Sequence, residues 1–172
     1  MKKCTLLFVA TILMLALTAN AAVQPSEKEI SIFGTYVHAP LKQGLERTDG
    51  GGVGIGISQF VTNETSVGLQ VWNNWLNDGI LGDVGINAKY HFCSKEEVTP
   101  YVGGQINYVY QTTTSWGPHR DGAMWGPLAG LRFNVADKTS LFVEYQWQLY
   151  SGEVRDFIEE SSSILVGIAC GF

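Results

Sequence analysis

Few residues in this chain have the types and spacing that chemistry requires. The histidines are His38, His91 and His119. Cleaving or transferring a lipid acyl chain needs a hydroxyl or thiol beside a histidine, with a third group orienting the ring. No His-x-Ser pair occurs, and His38 runs directly into Ala39-Pro40. His91 and Cys93 fall on one face of their run, but at its end. Ser140 and Glu144 sit in another run, and the topology argued below brings neither to a histidine. His91 is therefore expected to be polar filler, and His38 and His119 to be solvated loop residues. The tripeptide His119-Arg120-Asp121 sets a guanidinium between two possible ligands, and no zinc or calcium spacing appears. The expectation is no enzyme, no metal and no cofactor.

The other chemical constellation is charged. Asp83, Lys89, Arg132 and Glu144 each fall among small or polar neighbours on one face of an alternating run. A three-residue turn centred on Lys138 would set Arg132 opposite Glu144 and keep both apolar faces aligned. Lys89 and Asp83 could extend the network. Such a set is either an ion-paired plug or the lining of a gated pore. Eight strands leave an interior about filled by side chains, which favours the plug. Cys93 and Cys170 belong to the fourth and eighth runs and point to opposite faces. A disulfide needs Cα atoms within about 7 Å, so none is expected.

The elements that position these residues are strands. Eight alternating runs can be counted, at 29–38, 52–61, 65–75, 80–92, 99–110, 123–135, 139–150 and 162–172. In the fourth, Val84, Ile86, Ala88, Tyr90 and Phe92 oppose Asp83, Gly85, Asn87, Lys89 and His91. In the seventh, Leu141, Val143, Tyr145, Trp147 and Leu149 oppose Phe142, Glu144, Gln146 and Gln148. Side chains along a strand alternate sides. Most runs have the roughly 9–11 residues that a tilted strand needs to cross a bilayer. Alternation alone does not say which face is inside, because a soluble ligand-carrying barrel has the same period. Two features favour apolar faces outward. Aromatic residues, among them Trp75, Tyr90, Tyr108, Trp125, Tyr145, Trp147 and Phe172, gather near the ends of the apolar faces. The opposite faces are rich in Gly, Ser, Asn and Gln, with few charges. Short connections alternate with long ones at 39–51, 111–122 and 151–161, except for a short one at 74–79.

Composition agrees. Charged residues make up 16% of the 172-residue chain, aromatics 12%, and glycines number 20. A soluble domain is nearer a quarter charged. The opening segment reads as a cleaved signal peptide over 1–21: Lys2 and Lys3, an apolar core to Thr18, then Ala19-Asn20-Ala21. A polar lead-in follows at 22–28, and the barrel domain occupies 29–172. Loss of the two signal lysines moves the net charge from −5 to −7, which argues against a nucleic-acid partner.

At this point the sequence resembles a family: the small eight-stranded outer-membrane barrels of the OmpA-membrane-domain, OmpX and opacity-protein type. The carriers are Ile164-Leu165-Val166-Gly167-Ile168-Ala169-Cys170-Gly171-Phe172, Thr99-Pro100-Tyr101-Val102-Gly103-Gly104, and the hairpin from Gly130-Leu131-Arg132-Phe133 to Leu141-Phe142-Val143-Glu144-Tyr145. The resemblance implies an all-β, antiparallel up-and-down transmembrane barrel with both termini on the periplasmic side. It implies an outer-membrane location and a final strand whose Ile164, Val166, Ile168, Cys170 and Phe172 are read by the barrel-assembly machinery. The expected partners are outer-membrane lipid, that machinery, and a surface partner reached through the three long loops. The expected role is structural or surface interaction. A lipid A deacylase or acyltransferase, and a soluble ligand-carrying barrel, remain the alternatives.

Overall fold

A computed structural model describes residues 27–40, 48–76, 79–92, 96–111 and 120–172. The expected signal peptide, most of the lead-in, Cys93 and His119 lie outside them, as does most of the loop at 111–122. Eight antiparallel strands form one closed barrel in sequence order. They are β1 (Lys28–Ala39), β2 (Thr48–Phe60), β3 (Thr65–Leu76), β4 (Gly79–His91), β5 (Val98–Gln111), β6 (Arg120–Ala136), β7 (Thr139–Tyr150) and β8 (Glu160–Gly171). Each expected run lies within or close to one strand. The largest differences are that β2 and β6 begin earlier than their apolar alternation, because Thr48–Gly51 and Arg120–Gly122 continue the ladder toward the long connections. Closure comes from β1 on β8, with Ile32 opposite Ile168 and Gly34 opposite Val166.

The alternation resolves inside out. Ile30, Ile32, Ile55, Leu69, Ile86, Ile106, Val143, Val166 and Ile168 all point away from the barrel and stand exposed. Tyr36, Trp75, Tyr108, Trp125 and Trp147 are exposed toward the long-loop end, and Tyr90 and Phe172 toward the other. Ile164, Val166, Ile168, Cys170 and Phe172 share this outer face. In water such a surface would be a large unburied apolar area. Facing hydrocarbon, it needs no cover.

Glycine makes the narrow interior possible. A Cβ at Gly54 would strike the Phe33 ring and the Trp72 Cβ, so β2 keeps glycine where β1 and β3 send bulky groups inward. At the terminal end two of the connections are tight. Thr62 Oγ1 accepts from the backbone of Glu64 (3.2 Å) and Thr65 (2.9 Å), which fixes the β2–β3 turn. Asp137 and Lys138 turn β6 into β7, with a bulge between Asn134 and Ala136. Both chain ends of the barrel lie at this end, where the Phe172 N–H donates to the Lys28 carbonyl (2.8 Å).

At the opposite end the interior is largely apolar, with Asn74, Asp83 and Gln111 buried among it. Val37, Trp72, Leu76, Leu81, Val109 and Met124 form one buried cluster. The segment after β7, a 3-10 turn at Gly152–Asp156 followed by Phe157 and Ile158, folds onto it, with Val154 and Ile158 buried. Arg120 holds this cap, its guanidinium 4.0 Å from the centre of the Phe157 ring and 3.9 Å from an Asp156 carboxylate oxygen. The apolar residues of that connection thus fill the mouth of the barrel.

Candidate functional site: the polar interior

The interior has three layers between the terminal end and the capped end. The lowest is charged. Arg132 on β6 reaches across the lumen to Glu29 on β1 and binds it with both ends of its fork. Nη1 donates to Oε2 at 2.9 Å, and Nη2 pairs with Oε1. Its Nε donates to Asn134 (3.0 Å). Lys89 on β4 pairs with Glu144 on β7 at 2.5 Å and lies over the rings of Tyr101 and Phe142. Charges this deep are tolerable only when paired and hydrogen-bonded.

The expected Arg132–Glu144 pair does not form. The bulge at Asn134/Ala136 and the two-residue turn slip the hairpin, so Arg132 faces Phe142 and Glu144 faces Gly130. A slip of two residues preserves every inward position and changes every partner. Asp83 is buried and accepts a hydrogen bond from Asn107 (2.7 Å), whose Oδ1 in turn accepts from Gln70 (3.4 Å). His38, expected in a solvated loop, is in β1 with its Nδ1 2.6 Å from Asp49 on β2.

A polar cavity of about 60 Å³ opens within the charged layer. His91, Ser66, Tyr101, Ser140 and Glu144 all line it, so the topology does bring Ser140 and Glu144 to a histidine. His91 lies between the rings of Phe60 and Tyr101, its Nε2 3.0 Å from Ser66 Oγ. That is a hydroxyl–imidazole pair, but no carboxylate orients it. Among the described residues His91 Nδ1 has no hydrogen-bond partner, nor has Ser140 Oγ. Glu144 is engaged by Lys89 and by Gln146. Ser66 and His91 are both buried inside the barrel. The space suits ordered water on the unpaired polar atoms. Among the described residues no group of histidine, cysteine and carboxylates could hold a metal ion.

The middle layer is a belt of amides. Asn87 donates to Gln70 (2.7 Å), Gln70 to Gln105 (2.7 Å) and Gln105 to Gln146 (2.8 Å), which carries the belt over β4, β3, β5 and β7. Gln148 donates to Gln146 (2.7 Å) and to Ser163 on β8 (3.1 Å). Gln146 is the node: it accepts from two glutamines and donates to Glu144 (2.7 Å). Gln146→Ala is expected to destabilise the barrel by about 1–3 kcal/mol, because it strands the amide N–H of Gln105 and takes one of two acceptors from Gln148. Denaturant unfolding in detergent checks this; a loss under about 0.5 kcal/mol would mean the belt is slack.

Sequence reasoning missed Glu29, Gln70 and Gln105 as members of the network. Their parity was visible, since Glu29, Ser31 and Phe33 oppose Ile30 and Ile32. What no periodicity carries is which strand a long side chain meets across the lumen.

No family model matches the chain, and no curated protein matches it. Solved structures do. Neisserial surface protein A is 17% identical, with a TM-score of 0.71, covering 84% of this chain and 97% of that one. The N-terminal β-barrel domain of Pseudomonas aeruginosa OprF is 18% identical, with a TM-score of 0.64 over 87% and 100%. Ail, the attachment invasion locus protein of Yersinia pestis, is 16% identical, with a TM-score of 0.57 over 87% and 100%. The chain has the fold of these small outer-membrane barrels, as its resemblance to that family implied.

Proposed function

We propose that the chain is an outer-membrane barrel without enzymatic activity, closed to ions, which holds its long-loop end at the cell surface for a structural or surface-interaction role. The observation that carries this reading is the distribution of polarity. An apolar, aromatic-edged exterior surrounds an interior filled by charges, amides and an apolar cap. The reading puts the termini and short turns in the periplasm, behind a signal peptide cleaved after Ala21. It makes Ile164, Val166, Ile168, Cys170 and Phe172 the strand that the assembly machinery reads. The unoriented Ser66–His91 pair weighs against a lipid-modifying enzyme, and the exposed isoleucines and valines weigh against a soluble carrier.

Two measurements test it. Fractionation with unboiled gels is expected to find the protein in the outer membrane, migrating differently before and after heating. A soluble periplasmic protein would defeat the reading. In planar bilayers the protein is expected to be silent. Steady, ion-selective channels would replace the plug with a pore.

A further inference from the structure

The outer face carries a groove that has no role in the barrel itself. One row of paired outward residues crosses six strands: Lys28 opposite Gln59, then Val67, Ala88, Gly104 and Pro127. Beside it, on the capped side, runs a ridge of large residues: Ile57, Leu69, Ile86, Ile106 and Trp125. On the terminal side stand Tyr90, Val102 and Tyr145. Between these walls the floor drops at Ala88, Gly104 and Pro127. Two shallow, open hollows meet at Ala88.

The fold does not account for the floor. A Cβ at Gly104 would meet nothing nearer than the Gly126 carbonyl oxygen at 3.8 Å, so a side chain would stand free in the groove. Glycine inside a strand weakens it and often marks close approach by another group. Pro127 has no N–H, and the β6–β7 pairing is interrupted at Gly126–Pro127. Both residues cost the barrel something, and both clear the same channel.

We propose that this groove binds one phospholipid of the leaflet on the short-turn side, its phosphate on Lys28 and an acyl chain along Val67, Ala88, Gly104 and Pro127. This rests on the membrane reading above. The dimensions fit. Five inter-strand steps of about 4.8 Å make a path of roughly 24 Å. With strands tilted about 45°, it rises about 17 Å, close to one leaflet's share of a hydrocarbon core about 30 Å thick. The path starts at the first residue of β1, at the terminal rim, and ends well inside β6. Its only cation is at the rim, where a phosphate would lie. Glu27 lies on the other side of β1, against Gly171.

The test is native mass spectrometry of the full-length folded protein released from detergent, with palmitoyl-oleoyl phosphatidylglycerol or the matching diacylglycerol added. The wild type is expected to retain one phosphatidylglycerol, about two- to fivefold tighter than the diacylglycerol, as one solvated charge contact allows. Lys28→Gln should erase that preference. Gly104→Leu should remove the bound lipid, while Gly34→Leu, equally free of steric conflict on another part of the exterior, should keep it. Retention by Gly104→Leu equal to the wild type overturns the proposal. So does a wild type that binds none, or a two-chain species that Gly104→Leu abolishes, which would make the groove an interface between copies. Heat-modifiable migration of each variant separates these failures from a failure of the membrane reading.

Discussion

Arg132→Ala is expected to destabilise the barrel by about 3–5 kcal/mol, the cost of leaving a buried carboxylate without its cation. Glu29 is 5% exposed and Arg132 9%, so little water is at hand to replace the guanidinium. The pair also joins β6 to β1 across the lumen, and its loss frees two distant strands together. Arg132→Lys is expected to recover only part of the loss, because an ammonium cannot span both carboxylate oxygens as the fork does. The double variant Glu29→Leu with Arg132→Met should be far less damaged than Arg132→Ala alone, since it leaves no orphaned charge. Denaturant unfolding in detergent, followed by tryptophan fluorescence, measures all three. A loss under 1 kcal/mol for Arg132→Ala would mean that water enters the charged layer freely.

The second large effect is on the opposite face. Ile55, 60% exposed at the middle of β2, faces outward between Ile32 and Val71. Ile55→Arg is expected to cost about 2–4 kcal/mol in a bilayer, the penalty for a cation at mid-depth on a lipid-facing strand. On a water-facing surface the same exchange would change stability by less than about 0.5 kcal/mol. Unfolding in vesicles, with Ile55→Val as reference, distinguishes the two environments.

The strands were legible in the sequence because a closed barrel imposes the same two-residue period on each of them. Val84, Ile86, Ala88 and Tyr90 could be assigned outward without knowing any partner. Lys89 and Glu144 could be assigned inward on the same ground, and the structure joins them. Partners were not legible. One bulge near Asn134 changed the neighbours of Arg132 and Glu144 while leaving their parity intact. The apolar cap was missed for a different reason. Trp72, Leu81 and Met124 are inward residues of the strand halves at the capped end, where the apolar character of both faces blurs the alternation. Val154 and Ile158 belong to a long connection with no strand period, and only the 3-10 turn places them over that cluster. His91 was read as filler from its position, and the cavity around it collects Ser66, Ser140 and Glu144 only because two other strands, β3 and β7, reach it there.

Two tryptophans test the central claim directly, because they have one chemistry on opposite faces. Trp72 is 2% exposed and lies within the capped end, while Trp125 is 40% exposed on the outer face. Single-tryptophan variants, folded into vesicles whose acyl chains carry bromine, would report which one touches lipid. Strong quenching of Trp125 with Trp72 protected is the predicted result. Equal protection of both, or quenching of Trp72 with Trp125 spared, would contradict an inside-out barrel spanning a bilayer.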